Sequence, residues 1–394
     1  MIYIISKSSF FLYLIVCIIF LYCKSIKLNY YAINDQFNLK LYIGTPPEES
    51  FIPIDLNLDF SWITSQIFSP TNSKTSHFQN VMQINDGTDI KKEIVEIIDH
   101  ICVAFTGAGL PPKDCFSIKE YSFYWNRNEV LIKQIGKYGL SFGYKIQDRK
   151  TSIVHRLSED KEIHEKQFSF LPFDKSKTNI GKIQIGPLPQ EEINKYKYKG
   201  ECQINKEHSF WSCELNTVIL NNITYINREI AYFQTKQKET LIPQRFLDFL
   251  NYNGLQPFLG NSNCTFIHYY KADRFQCFKN VLNELGSITF VFRGVKIEID
   301  IKDFFKCVDN VCDFLFIKQD DKYDQWVFGT SFLNNIAITF NYDQSSISFY
   351  SNNPITPLDP NIKNKGYLKT IEIIICISLL ISTIMMYLMK KMIE

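Results

Sequence analysis

A short hairpin followed by a carboxylate is the feature that most constrains the fold of this chain. Phe37, Leu39, Leu41 and Ile43 alternate with other residues in the period-2 pattern of a half-buried strand, and Gly44-Thr45-Pro46-Pro47 interrupts that pattern with a turn. A second apolar run then leads into Asp55. The sequence predicts a strand, a turn, and a second strand that ends on a carboxylate.

The stretch 43–63, with Trp62 seven residues after Asp55, resembles the pepsin-like aspartic peptidases, which carry Asp-Thr-Gly-Ser where this chain has Asp55-Leu56-Asn57-Leu58. Further matches follow in the order of that family, at 138–143, 168–171, 181–186, 210–220, 288–295, 326–333 and 338–349. The resemblance implies a mainly β, bilobal pepsin-like fold with a central cleft, to which each lobe contributes one loop. It also implies an N-terminal lobe over residues 30–180 and a C-terminal lobe over residues 181–352.

Peptide hydrolysis by this family needs two carboxylates that share one proton, so that one activates water while the other donates to the scissile carbonyl. The second carboxylate should follow the strand after Trp211, and Gln234 occupies that position. An amide neither titrates near neutrality nor accepts a proton usefully. No Asp-Thr-Gly or Asp-Ser-Gly occurs anywhere in the chain. We therefore expect Asp55 to be the retained half of a dyad in a protein that has lost catalytic activity.

The neighbours of the two dyad positions also depart from the family. Leu56 and Leu58 lack the hydroxyls that orient the carboxylates, whereas Thr235 keeps one. Asn57 and Lys236 stand where the family has Gly, and Lys is the less suited of the two to a positive φ. The residues assigned to the cleft are Leu56, Asn57, Thr235, Lys236 and Ile84, the last at the position of the family's flap Tyr.

Several of these residues also have a purely structural interpretation. Asp55 could end its strand by accepting hydrogen bonds from turn amides. Trp62 and Trp326 fit core aromatics better than substrate platforms. Asp59 and Glu239 fit solvated surface charges better than replacement acids. The His residues form no triad spacing with a nucleophile.

The two ends of the chain predict a secretory route. Residues 1–25 are typical of a signal peptide, with Lys7 as the one basic residue before an apolar run to Tyr22 and small or polar residues after it; an uncleaved anchor is the alternative. Residues 353–369 form a Pro-bearing stalk, and residues 370–389 are long and apolar enough for a transmembrane helix rather than a buried one. Lys390 and Lys391 open a cytosolic tail, 390–394, so we expect a single-pass type I protein with its bulk in the lumen or outside the cell.

The Cys residues predict disulfides. Of the eleven, Cys17, Cys23 and Cys376 lie in the end segments, which leaves eight in the predicted ectodomain. Their spacing favours Cys102 with Cys115 and Cys202 with Cys213, and leaves the pairing among Cys264, Cys277, Cys307 and Cys312 open. The Cys spacing does not favour a zinc site. Asn222 and Asn263 begin two glycosylation sequons.

Charge excludes some partners and the cleft suggests others. The net charge is +2, with 43 basic and 41 acidic residues and no basic block, so we expect no nucleic acid partner. From the Cys and His spacing we expect no metal, and we expect no cofactor. The favoured interpretation is an inactive aspartic peptidase homologue that binds an extended peptide or protein partner in its cleft. The alternatives are an active aspartic endopeptidase with a divergent site and a structural surface or adhesion protein. A composition rich in Lys, Asn, Ile and Phe, with the membrane anchor, resembles the plasmepsin branch of apicomplexan parasites.

Overall fold

The structure, a computed structural model, describes residues 25–64, 67–84, 92–104, 115–126, 139–146, 149–173, 180–204, 207–220, 222–254, 263–269, 272–319 and 325–351. These residues lie in one compact unit that ends at Asn352. The predicted stalk, transmembrane helix and tail, and all of the predicted signal peptide but Ser25, lie outside the described residues. Within the described ranges, no helix has both the length and the apolar character needed to span a membrane.

The described chain is mainly β, as the sequence predicts. The strands are β1 Ile26–Ile33, β2 Gln36–Ile43, β3 Glu48–Asp55, β4 Trp62–Thr64, β5 His77–Ile84, β6 Lys92–Ala104, β7 Cys115–Asn126, β8 Leu140–Ser141, β9 Gln167–Leu171, β10 Ile180–Ile185, β11 Tyr198–Gln203, β12 Ser212–Leu220, β13 Ile223–Phe233, β14 Thr240–Leu241, β15 Cys264–Tyr269, β16 Ala272–Phe278, β17 Ser287–Phe292, β18 Val295–Asp300, β19 Phe305–Val308, β20 Val311–Phe314, β21 Phe316–Gln319, β22 Trp326–Phe328, β23 Ala337–Asn341 and β24 Ser346–Tyr350.

Helices are short and lie between strands. They are α1 Ile153–Glu159, α2 Gln190–Lys195, α3 Gln244–Phe249 and α4 Thr330–Leu333, with 3-10 turns at Pro70–Asn72, Arg149–Thr151, Lys279–Glu284 and Ile301–Phe304. The helix predicted after Pro243 is present as α3, and a π-helical turn, Leu250–Gly254, continues it.

Two sheets organise the fold. The first runs β11-β24-β23-β9-β10-β1-β2-β6-β7-β4, with β3, β5 and β8 attached, and the second runs β18-β17-β12-β13-β22-β14-β21-β16-β20-β19, with β15 attached. The first sheet thus contains β1 to β9 and also β10, β11, β23 and β24, which follow residue 179. A single boundary at residue 180 therefore does not separate the two sheets, because the chain returns to the first sheet at its end.

One aromatic core joins the two sheets. Phe340 of β23 stacks on Phe168 of β9 with ring centroids 5.0 Å apart, and it also meets Phe233 of β13 at 5.9 Å. All three side chains are fully buried. Ile54 at the end of β3 and Phe233 at the end of β13 are both buried in this core. Packing of the core therefore fixes the loop after β3 relative to the loop after β13.

The opening hairpin has the predicted form. β2 and β3 pair in antiparallel register, with Leu41 opposite Ser50 and Ile43 opposite Glu48. Gly44 turns the chain at a φ of 82°, a conformation that Gly adopts without strain. The strand prediction and the position of Asp55 at the end of β3 are confirmed.

Three disulfides are present in the described residues. They join Cys202 to Cys213, Cys264 to Cys277, and Cys307 to Cys312, so the pairing that the sequence left open is resolved. Cys102 is also disulfide-bonded, but the side chain of Cys115 lies outside the description, so their pairing stays a prediction.

Candidate functional site

Asp55 is held at the end of β3 by main-chain pairing on one side. The strand runs parallel to β8, with Asp55 beside Ser141, and the Asp55 carbonyl accepts a hydrogen bond from the Phe142 amide at 2.9 Å. The Asp55 side chain is 6% exposed. Its carboxylate Oδ1 accepts a hydrogen bond from the backbone N–H of Asn57 at 2.8 Å. This is the contact expected if Asp55 ends its strand by binding turn amides.

The second loop leaves β13 in a matching way. β13 runs parallel to β22, and the backbone N–H of Gln234 donates to the Phe328 carbonyl at 2.9 Å. Thr235 and Lys236 follow directly. The half-buried Gln234 therefore starts the loop at the end of its strand, as Asp55 does in the other half of the fold.

The two loops meet. The Thr235 hydroxyl is buried and donates to the Ile54 carbonyl at 2.6 Å, and the Thr235 carbonyl accepts from the Phe37 amide at 3.2 Å. These bonds place the residue after Gln234 against the residue before Asp55. The two loops that the sequence pairs are therefore in contact, while the placing of Gln234 at the second dyad position stays a prediction.

An ammonium group lies beside the Asp55 carboxylate. The Nζ of Lys236 lies 2.6 Å from Oδ2 of Asp55, and the Lys236 side chain is 19% exposed. Among the described residues, the polar partners of the Asp55 carboxylate are the Asn57 amide and the Lys236 ammonium, and Gln234 is not one of them. Both carboxylate oxygens are therefore engaged from within the protein.

Two glycines let the backbone pass close behind each loop. A Cβ at Gly143 would come within 2.3 Å of the Leu58 carbonyl oxygen, and a Cβ at Gly329 would come within 2.2 Å of the Glu239 carbonyl oxygen. Neither contact leaves room for a side chain. The symmetric arrangement supports two equivalent loops, only one of which carries a carboxylate at the dyad position.

The role that the sequence suggested for Lys236 needs correction. Neither Lys236 nor Asn57 is among the described residues with positive φ, so the backbone here does not require Gly. Lys236 acts through its side chain, which reaches across to Asp55. A Lys two residues after Gln234 is the sequence feature that could have indicated this contact. Only the pairing of the two loops in the structure shows that the Lys236 side chain reaches Asp55.

The other residues assigned to the cleft divide into two groups. Leu56 is fully buried in the core, and Thr235 is buried beneath the Asp55 strand, so both support the site from below rather than line a cleft. Asn57 is half-buried and holds Asp55 through its amide. Ile84 ends β5, but its side chain lies outside the description, so its place as the flap residue stays a prediction.

In the described ranges, the other candidate residues do not hydrogen-bond to the Asp55 carboxylate. Trp62 and Trp326 are buried, as expected for core aromatics. Glu239 lines a separate cavity with Asp35 and Lys306. Within the described part of the chain, His, Cys, Asp and Glu side chains nowhere form a group of three that could hold a metal ion.

The fold and the paired loops define a two-lobed protein of the aspartic-protease type. The family model described as eukaryotic aspartyl protease matches residues 125–351, more than half of the chain, and the chain belongs to that family.

Two solved structures share the fold. Basic 7S globulin from soybean has a TM-score of 0.66 and 13% sequence identity, over 83% of this chain and 95% of that one. An aspartic proteinase from Irpex lacteus has a TM-score of 0.59 and 10% identity, over 83% of this chain and 97% of that one. At these identities the likeness shows the fold alone. No curated protein sequence matches the chain.

Proposed function

We propose that this chain is a catalytically inactive member of the aspartyl protease family that binds an extended peptide or a protein partner in its cleft. The observation that carries the proposal is the contact of 2.6 Å between Lys236 Nζ and Asp55 Oδ2. It supports a site in which the single dyad carboxylate serves as one half of an ion pair.

The chemistry of the dyad explains why this contact matters. In a working site, one carboxylate takes a proton from water and a neighbouring carboxyl group donates to the substrate carbonyl. Here an ammonium neutralises Asp55, and Gln234 offers an amide that cannot relay a proton. A water placed beside Asp55 would have no acid to complete the reaction.

Peptide binding does not need the dyad. An extended peptide can pair its main chain with strand edges, and pockets for alternate side chains then supply specificity. The family fold retains its strands on both sides of the two loops, so a partner in the cleft is the residual function that the fold supports.

We also infer that the protein is a membrane-anchored, plasmepsin-like member of the family with its bulk in the lumen or extracellular space. The apolar segment 370–389 and the basic residues after it support this topology. Ending the chain after Asn352 is expected to move the protein from the membrane fraction to the soluble secreted fraction. Retention of the shortened chain in the membrane fraction would contradict the anchor.

The function is tested by mixing the purified full-length chain with a randomised peptide library between pH 4 and pH 7. Peptides that coelute with the protein are identified by mass spectrometry, and new peptide termini are counted in the same samples. We expect intact peptides to be retained and no new termini to form. Specific new termini would favour the active endopeptidase, whereas no retention of any peptide would remove the binding function.

A further inference from the structure

An exposed apolar surface lies far along the chain from Asp55, on strands β16, β20 and β19. In this antiparallel ribbon, Phe278 pairs with Val311, and Val311 pairs with Val308. Cross-strand partners project from the same face of a sheet. The three apolar side chains therefore form one row, which we call the apolar row.

The apolar row is open to solvent. Phe278 is 48% exposed, Val311 is 36% exposed and Val308 is 68% exposed. Isolated exposed apolar residues are ordinary on protein surfaces, but adjacent ones on a single sheet face indicate an interaction site. On the opposite face of the same ribbon, disulfides link Cys307 to Cys312 and Cys277 to Cys264, so these strands hold their places.

A charged row lies beside the apolar row on the same face. At a distance of two residues from the apolar row on each strand, Gln276 pairs with Asp313 and Asp313 pairs with Lys306. The Gln276 amide donates to Asp313 at 2.9 Å, and the Arg274 guanidinium approaches the other Asp313 oxygen at 3.4 Å. The Asp313 carboxylate is thus satisfied from its own strands, and Lys306 is the cation at the outer end of the charged row.

Lys306 stands at a cavity of about 350 Å³ whose lining includes Val308, Asp313, Lys238 and Asp35. The Asp35 carboxylate forms ion pairs with Lys238, whose Nζ lies 3.0 Å from Oδ1, and with Lys306, whose Nζ lies 3.5 Å from Oδ2. Burial alone would raise the pKa of Asp35, but hydrogen bonds and charge from Lys238 and then Lys306 outweigh it and lower that pKa. The cavity lining has as many acidic as basic side chains, and Lys306, at 51% exposure, is an accessible cation next to the apolar row.

The outer edge of β19 has no described strand beside it, although the Phe305 N–H at its start donates to the Lys302 carbonyl. β19 ends the strand order of the second sheet, and in the described ranges its ladder partner is β20 alone. A strand added to such an edge forms main-chain hydrogen bonds and sets its side chains opposite those of the edge strand. Residues two apart in that added strand would face Lys306 and Val308.

We propose that the β19 edge binds an extended segment of a partner protein that carries an acidic residue and an apolar residue two positions apart. The acid faces Lys306 and extends the charged row. The apolar side chain faces Val308 and extends the apolar row. This surface uses neither Asp55 nor Lys236, so it does not depend on the catalytic state of the protein.

The test uses fluorescent octapeptides with blocked ends, a Ser and Thr background, and one Phe and one Glu two positions apart. Binding to the full-length chain is measured by fluorescence anisotropy. Matched peptides replace Glu with Gln, replace Glu with Lys, or carry N-methyl groups on one edge of the backbone. We expect the Glu peptide to bind about tenfold more tightly than the Gln peptide, and the N-methylated peptides on one of the two edges to lose binding.

Variants of the protein test the same contacts from the other side. Lys306→Glu should weaken the Glu peptide about tenfold and favour the Lys peptide, whereas Lys182→Glu, at an exposed Lys of β10 in the first sheet, should leave both affinities unchanged. Thermal unfolding shows whether each variant is folded. If Lys306→Glu does not fold, the comparison of the Glu and Gln peptides on the unaltered protein still tests the proposal. Equal binding of the Glu and Gln peptides, or no binding below about 1 mM, would overturn the proposal.

Discussion

The Lys236 ammonium lies 2.6 Å from the Asp55 carboxylate, and this contact joins the two loops that in a working aspartic protease would each present an acid. The Asp55 side chain is only 6% exposed, and the ion pair gives its carboxylate the one charged partner that the described residues supply. Removing one charge leaves the other buried, and an unpaired buried charge costs more than the pair contributes. The site therefore contributes to stability in a way that can be measured.

A double-mutant cycle measures this contribution. Lys236→Met is expected to lower the free energy of unfolding by about 2 to 4 kcal/mol, because it leaves the Asp55 carboxylate buried with the Asn57 amide alone. Asp55→Asn should cost less, because Lys236 is the more exposed partner. The double variant should recover about 1 to 2 kcal/mol relative to the sum of the single losses.

Urea unfolding provides the measurement, and Lys238→Met serves as the matched control. Lys238 pairs with Asp35 at 3.0 Å near the surface, so its loss should cost about 1 kcal/mol or less. Additive effects at Lys236 and Asp55 would show that the two side chains do not act as a pair.

Thr235 is expected to stabilise the junction of the two loops. Thr235→Val keeps the shape of the side chain but leaves the buried Ile54 carbonyl without the hydroxyl that donates at 2.6 Å. The free energy of unfolding should fall by about 1 to 3 kcal/mol. Thr235→Ser keeps the hydroxyl and should lose less. If Ser and Val cost the same in urea unfolding, the hydrogen bond contributes nothing measurable.

His155 should make the protein less stable in acid. It lies in α1, with Nδ1 3.1 Å from the Ser152 hydroxyl, and its ring meets Tyr342 at 4.8 Å. Burial, with the charges of Lys166 and Arg149, lowers its pKa from 6.5 to about 4, against the opposing effect of Asp343. Below pH 6.5 the unfolded chain takes up a proton that the folded chain refuses, so stability should fall as the pH drops from 6.5 to about 4.

His155→Gln removes this titration. The melting temperature of the variant should fall less between pH 7 and pH 4.5 than that of the unaltered protein, even if the variant starts lower. His164→Gln, at an exposed His, is the control and should keep the slope of the unaltered protein. Parallel pH profiles for the His155 variant and the unaltered protein would refute this source of acid sensitivity.

Asn222 is expected to carry a glycan if the chain passes through the secretory route. It lies exposed between β12 and β13 at a φ of 65°, so an oligosaccharide transferase can approach it. Thr224→Ala preserves Asn222 and the turn but removes the sequon. Expression in a eukaryotic secretory system should give a mass that Thr224→Ala lowers by one glycan. An unchanged mass would show that this sequon is not used.

The parts of the fold that the sequence predicted are those with local patterns. The alternation from Phe37 to Ile43 and the Gly44 turn specify the hairpin, and the Cys pairs close in sequence proved close in space. The return of β23 and β24 to the first sheet from the end of the chain has no such local pattern, and the lobe bounds stay a prediction.

The contacts that define the site are not local. Lys236 and Asp55 are far apart in the chain, and their contact depends on the Thr235 bond that registers one loop against the other. The sequence drew attention to Lys236 as a replaced Gly, which concerns the backbone. In the structure, Lys236 does not have a positive φ, and its side chain forms an ion pair with Asp55. No local sequence pattern predicts that ion pair.

The hydrolysis of peptides by the full-length chain and by its Asp55→Ala variant, with and without a pepstatin-type inhibitor between pH 4 and pH 7, tests the central claim most directly. An Asp55 carboxylate bound to Lys236, with Gln234 at the second dyad position in the sequence, should support no catalysis, so both proteins should give the same background rate and the inhibitor should change neither. Hydrolysis that the inhibitor blocks and that Asp55→Ala abolishes would contradict the account, because it would show Asp55 working as a catalytic acid.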